Sequence, residues 1–210
     1  MRTELDHIAI GAPSLAQGVE YVRRALGVAP PPGGRHERMG THNHLMKLGH
    51  RCYLEIIAID PEAPDPGRKR WFGLDHVSSP GLTTWVARTD DIHAAAWFGT
   101  PEQMARGPLH WLISVTADGS MPMDGIAPTL IQWPDAAHPA DRMADLGCSL
   151  LRLEGFHPRA DEVKRMLKRI GFEGPFTVVR DETPRLIAHI STPGGIRRLD
   201  SRTEVPHGSA

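Results

Sequence analysis

Leu5-Asp6-His7-Ile8-Ala9-Ile10, followed by Gly11-Ala12-Pro13-Ser14-Leu15, opens the chain with a short apolar strand that carries one histidine. The arrangement returns at Leu82-Thr83-Thr84-Trp85-Val86-Ala87, followed by Arg88-Thr89-Asp90-Asp91-Ile92. His7 and Thr84 stand 77 residues apart. Further on, Tyr53-Leu54-Glu55-Ile56-Ile57 and Leu130-Ile131-Gln132-Trp133 keep the spacing, since Glu55 and Gln132 are also 77 residues apart. A repeat of this size indicates two copies of one small module, each needing the other to bury its apolar face. In such a pair His7, Glu55, Thr84 and Gln132 are symmetry-related and converge on one cleft.

Around these strands each copy reads as strand, helix and three strands. Alternation puts His7 and Ala9 on one face of the first strand and Ile8 and Ile10 on the other. Ser14 with Gln17 three residues on is a capping-box start, Leu15, Val19, Val22 and Leu26 follow at helical spacing, and Gly27 supplies the stop. Ala29 to Gly34 reads as a loop. His44–Leu48 and Cys52–Ile59 read as strands joined at Gly49-His50, with Tyr53, Glu55 and Ile57 sharing a face. The first module spans residues 1–60. A connection over 61–81 holds four prolines and Arg68-Lys69-Arg70-Trp71-Phe72. It is either a plain linker or a lid whose Trp71 and Phe72 cover a bound ligand. The second module, 82–135, has a weaker helix from Asp91 through Ala94-Ala95-Ala96-Trp97 and strands at His110–Val115 and Thr129–Trp133.

Residues 136–200 form a third βαβ-like segment. Ser149–Leu153 is its strand, Val163, Met166, Leu167 and Ile170 its helix face, and short strands follow between Phe176 and Leu199. This segment is expected to extend the sheet, and 201–210 is a polar tail. The fold class is therefore α+β.

Composition excludes several functions. A formal net charge of −1 gives no electrostatic reason to expect nucleic acid or an anionic membrane as partner. No apolar run approaches the ~20 residues of a spanning helix, and the N-terminus lacks a signal-peptide core. Two cysteines, Cys52 and Cys148, read as reduced thiols of a cytoplasmic protein. There is no P-loop, nucleophile elbow or paired CxxC, and no nucleotide cofactor is expected.

Two βαβββ modules with a histidine in the first strand and a glutamate in the fourth resemble the vicinal oxygen chelate superfamily. Leu5-Asp6-His7-Ile8-Ala9-Ile10, Gly40-Thr41-His42-Asn43, Tyr53-Leu54-Glu55 and Leu130-Ile131-Gln132-Trp133 tighten the match to its glyoxalase-like branch, the glyoxalase/bleomycin resistance/dioxygenase-like fold. The resemblance covers residues 4 to 135. It implies a cup-shaped cavity in which strand side chains hold a divalent metal (zinc, manganese, iron or nickel) that chelates oxygens of a small substrate. Carried over, His7, Glu55 and Gln132 are metal ligands, with His110 in reserve. Thr84 fills the fourth slot badly because a neutral hydroxyl is a poor ligand, which leaves it a substrate contact. Glu55 doubles as the catalytic base, and Asn43, Trp71, Phe72 and Trp111 contact substrate.

The residues themselves leave alternatives open. Burying the Glu55 charge among Leu54, Ile56 and Ile57 demands a partner, which His7, Arg88 or a metal could supply. Two functions follow. One is a metal-dependent lyase, isomerase or dioxygenase acting on a small oxygen-rich molecule. The other is a metal-free binding or sequestration protein of the bleomycin-resistance type, favoured by Thr84. A monomer or homodimer suffices for either.

Overall fold

The computed structural model describes residues 1–107, 109–134 and 138–201. The polar tail lies, apart from Ser201, outside these residues, as do Ala136 and Ala137. The first half contains β1 (Thr3–Gly11), α1 (Leu15–Leu26), β2 (Pro32–His36), β3 (Thr41–Gly49) and β4 (Cys52–Ile59). The second contains β5 (Gly81–Thr89), β6 (Thr100–Arg106), β7 (Leu109–Val115) and β8 (Thr129–Gln132). Together their strands run β2-β3-β4-β1-β5-β8-β7-β6. Each half places its first strand beside its fourth, in parallel, and the halves join through the antiparallel pair β1 and β5. No helix of the described residues is long and apolar enough to cross a membrane.

Local chemistry explains most of the elements. The Ser14 hydroxyl accepts from the Gln17 N–H at 3.4 Å, and Gly27 ends α1 in the left-handed region at φ 74°. The Pro-Gly run expected as a loop ends in β2. An edge strand tolerates Pro32 because a missing N–H costs nothing there. In place of the second module's helix stands a 3-10 turn, His93–Phe98, broken at Ala95. Asp91 caps it, accepting from the N–H groups of His93 and Ala94 at 3.1 Å each. A stretch this short between Asp91 and Gly99 cannot repay the nucleation of an α-helix.

The outer strands β2 and β6 come back into contact, so the sheet closes into a cup. Arg38 reaches across this seam to the Gln103 carbonyl at 3.0 Å and the Glu102 carboxylate at 2.7 Å, and Arg68 grips Glu102 through two nitrogens. This contact brings the two edge strands of the sheet together. One expectation is corrected, because residues 136–200 do not extend the large sheet at its edges. Instead β9 (Ser149–Phe156), β11 (Phe176–Val179), β12 (Arg185–Thr192) and β13 (Gly195–Asp200) form a second sheet, ordered β11-β9-β12-β13, with α2 (Ala160–Arg169) after β9. Only the two-residue β10 (Phe172–Glu173) joins the large sheet, parallel to the start of β1.

Each face of the large sheet has its own core. Ile8, Ile10, Leu54, Ile56 and Trp85 point outward from the cup and are buried under α1 and the second sheet. Trp85 packs against Phe172 and Phe176 and donates its indole N–H to the Ile126 carbonyl at 2.9 Å. Inside the cup Ala9, Ile57, Val86, Trp111, Ile113 and Ile131 meet Trp71 and Phe72.

Gly155 of β9 is closely packed, since an added Cβ would stand 2.7 Å from the Phe176 ring of its own sheet and 2.8 Å from Ile126, in the segment before β8. Gly155→Val is expected to destabilise the fold by roughly 1–3 kcal/mol, as overpacking of a filled core does. Urea unfolding measures this, and an unchanged midpoint would show that these neighbours can give way at no cost.

Candidate active site

The cup holds a small cavity of about 20 Å³, room for about one water-sized molecule. His7, Glu55, His36 and Tyr53 line one wall, and Trp71, Phe72, Trp111 and Trp133 the other. Along β1 the pairing slips by one residue between Leu5 and His7. Such an irregularity brings Asp6 to the same side as His7 instead of the opposite one.

Asp6 is fully buried and carries three contacts. Its carboxylate lies 2.7 Å from His7 Nδ1, accepts from the Trp133 indole N–H at 3.0 Å, and lies 3.0 Å from His138 Nε2. Burial alone would raise the Asp6 pKa, but hydrogen bonds from His138 and His7 hold it well below the usual carboxylate range. The other nitrogen of His7, Nε2, lies 3.5 Å from Glu55 Oε2. The Tyr53 ring stacks on the imidazole at 4.4 Å.

Burial also opposes charge on His7. The Asp6 and Glu55 carboxylates overcome it and lift the pKa from 6.5 to about 9. Glu55 goes the other way. Burial favours its neutral form, yet His7, His36 and Asn43 lower it from 4.5 to about 2. Asn43 donates its amide N–H to Glu55 Oε1 at 2.5 Å, while its carbonyl accepts from the Gly34 N–H at 2.8 Å. At neutral pH the site is therefore a row of carboxylate, imidazolium and carboxylate. His36 stays neutral, since burial and the Arg106 charge lower its pKa to about 4 despite Glu55.

The sequence reading and the structure agree on part of this set. His7, Glu55, Trp71, Phe72 and Trp111 line one cavity, and Asn43 touches Glu55. Trp71 and Phe72 sit on the cavity side of the sheet, as the lid reading requires. They are buried in a 3-10 turn, Trp71–His76, pinned by the Arg70–Asp75 ion pair. Gln132, His110 and Thr84 need correction. Gln132 faces away from the cup and accepts from the Ile92 N–H at 2.8 Å. On β8 the cavity takes Ile131 instead, one residue off the 77-residue register, and a one-residue slip flips a strand's faces. His110 is exposed because its neighbour Trp111 turns inward. Thr84 is fully buried away from the cavity lining, with its hydroxyl 3.4 Å from the Gly125 and Trp85 carbonyls.

The expected metal-ligand set is therefore not assembled. Of the expected ligands only His7 and Glu55 share the cavity, and the second half offers apolar Val86 and Ile131 inside the cup. Among the described residues no three His, Cys, Asp or Glu side chains are placed to hold a metal ion. The donors present do not fit a chelated divalent cation, for which three protein ligands are the usual minimum. The sequence reading passed over Asp6, His36, Tyr53, Arg106, Trp133 and His138. Of these, Tyr53 had a local signal in sharing the Glu55 face of its strand, and Asp6 as the carboxylate beside the strand histidine.

Because folding raises the His7 pKa, the stability it contributes is complete below about 6.5 and lost as pH rises through about 9. Glu55 contributes above about 4.5 and loses that contribution as pH falls through about 2. The pair is thus most stabilising between those two ordinary values. Wild-type protein is expected to lose more stability between pH 6 and pH 9 than His7→Gln, by urea unfolding at each pH. Parallel losses in both proteins would place the His7 charge elsewhere.

Comparison with known proteins follows the geometry. A hypothetical protein from Staphylococcus aureus has the same fold, with a TM-score of 0.65 at 14% identity, over 94% of this chain and 98% of that one. Methylmalonyl-CoA epimerase from Streptomyces coelicolor superposes at a TM-score of 0.42 and 16% identity, over 64% of this chain and 100% of its own. A 4-hydroxymandelate synthase mutant from the same organism reaches 0.46 at 11% identity, over 95% of this chain and 62% of its own. No curated protein matches the chain in sequence. The glyoxalase-like domain family model matches residues 5–171, from the strand bearing His7 to the end of α2, and the chain belongs to that family, within the vicinal oxygen chelate superfamily.

Proposed function

We propose that this chain is an enzyme that moves a proton between carbon and oxygen of a small carbonyl compound, using Glu55 and His7 without a chelated metal. The Asp6–His7–Glu55 row carries this reading. In an isomerase- or lyase-type step, Glu55 Oε2 takes the proton from the carbon next to the carbonyl. The C–H electrons form the new C=C bond, and the carbonyl π pair moves to oxygen, which takes the Nε2 proton of His7. The reverse transfer from the other carbon or face completes the reaction. Asp6 remains ionised and holds the His7 Nδ1 proton throughout, fixing ring orientation and stabilising the imidazolium.

Two features of the resting site support the step. His7 Nε2 and Glu55 Oε2 are 3.5 Å apart, long for a hydrogen bond, while the Asp6 contact at 2.7 Å is short. A substrate oxygen can thus take over Nε2 without disturbing Nδ1. Glu55 at a pKa near 2 is a weak base at rest, but burial alone pushes it upward. A substrate that draws away the His7 proton unmasks that effect and makes Glu55 more basic when it must accept. The aromatic wall and the small cavity keep bulk water from competing.

Deuterium uptake by pyruvate, hydroxyacetone and dihydroxyacetone in heavy water, followed by NMR with chelator present, tests the proposal. Exchange above background is expected, falling by at least about 100-fold in Glu55→Gln, in line with loss of a general base. Exchange indifferent to Glu55→Gln would sink the mechanism, and binding without exchange would indicate sequestration. Calorimetric titration of chelator-stripped protein with manganese, iron(II) and zinc is expected to give no heat. One-to-one binding abolished by Glu55→Gln would restore the chelation reading.

A further inference from the structure

Several arginines near the seam of the cup are matched with carboxylates among the described residues. Arg35 pairs with Asp60 and Glu62, Arg38 and Arg68 with Glu102, and Arg70 with Asp75. Arg106, the last residue of β6, has no carboxylate partner among the described residues. It is only partly exposed and lines the cavity beside His36 and Tyr53, where its charge disfavours protonated His36. It also lines a second, larger hollow of about 560 Å³. Gly33 and Gly34 of β2 border this hollow, and a Cβ on Gly34 would sit 2.8 Å from the Arg106 side chain. His138, the partner of Asp6, borders it too.

A second group is also unmatched. Trp71 lines the inner cavity, its side chain is almost wholly buried, and its indole N–H has no hydrogen-bond partner among the described residues. Buried indole N–H groups nearly always find an acceptor; this nitrogen is sealed from the cavity in the resting structure, and a ligand oxygen would reach it on a small shift of the turn that carries Trp71. Arg106 supplies a cation with a planar fork suited to a carboxylate or phosphate, and Trp71 a neutral donor. The hollow has the volume of a small-molecule site, whereas the inner cavity admits only the reacting end.

We infer that the ligand is a small organic anion, its carboxylate or phosphate held by Arg106 at the junction of cavity and outer hollow and a further oxygen bound by the Trp71 N–H. This rests on the small-molecule reading above but not on its proton-transfer step. Placing the anion on Arg106 offsets the repulsion it would feel from Glu55 and Asp6. The same cation orients the molecule, body outward and reacting end toward His7.

Tryptophan fluorescence reads binding directly, because Trp71, Trp111 and Trp133 line the cavity. The probes are benzoate, phenyl phosphate and benzamide, the last a neutral match for benzoate. Wild-type protein should bind at least one of the anions more tightly than benzamide. Arg106→Gln should weaken that anion by about 10- to 100-fold, the value of a charge-assisted pair, and leave benzamide unchanged. Trp71→Phe, which keeps the ring and loses the N–H, should weaken both classes. Preference for benzoate or for phenyl phosphate distinguishes a carboxylate from a phosphate ligand. Anions that bind no tighter than benzamide, no saturable binding, or affinity unaltered in Arg106→Gln would overturn the inference. Glu55→Gln should keep Arg106-dependent binding while losing exchange. If exchange proves independent of Glu55 but anions still require Arg106, the proton-transfer step fails and this assignment stands.

Discussion

The buried carboxylate of Asp6 ties together three parts of the chain that are distant in sequence. It lies in the first strand, contacts the imidazole of its neighbour His7, accepts from Trp133 at the end of the second half, and reaches His138 at the start of the C-terminal third. An ionised group with no access to water is stable only while its donors stay in place. The geometry of the site therefore depends on the correct joining of the two halves and on the chain's route to the second sheet. The charge on Asp6, together with that on Glu55, makes His7 an imidazolium at neutral pH, so fold and chemistry share this contact.

Around that contact the two halves of the cup have diverged in role. The first keeps the polar set, His7, His36, Asn43 and Glu55, on adjacent strands. The second contributes Val86, Trp111, Ile113 and Ile131, an apolar wall with no donor to a cation. Low-polarity surroundings strengthen the interactions among the charged groups and raise the cost of losing any one of them. The connection between the halves completes the enclosure. Phe72 and Gly73 adopt left-handed backbone angles there, at φ 57° and 65°, turning Trp71 and Phe72 into the cup. For Phe72 that conformation carries strain, of the kind that persists where surrounding contacts overdetermine it.

Closure of the cup also explains the C-terminal third. Once β2 and β6 meet, the outward face of the sheet still presents Ile8, Ile10, Leu54, Ile56 and Trp85, far more apolar surface than α1 can cover. The second sheet covers it, and Gly155 of that sheet lets Ile126 come close.

The sequence by itself determined the elements and the first half of the site. Alternation in residues 5–10 and 52–59 assigned His7 and Glu55 to one face, because the two-residue period of a strand is a local property. Capping chemistry fixed α1 between Ser14 and Gly27, and the doubled strand pattern disclosed the two halves. What depended on register between distant strands was not legible. Spacing matched Gln132 to Glu55, but β8 pairs three residues out of phase, with Val86 opposite Thr129 where the repeat would place Gln132, and an odd shift moves a side chain to the other face of the sheet. The irregularity that turns Asp6 inward, the route that delivers His138, and the seam that leaves Arg106 beside the cavity arise from pairing across the whole sheet. No window of sequence contains them. Only the tertiary structure decided which carboxylates face the histidine and which cation lies beside the cavity, since both follow from where strands far apart in the chain come to lie side by side.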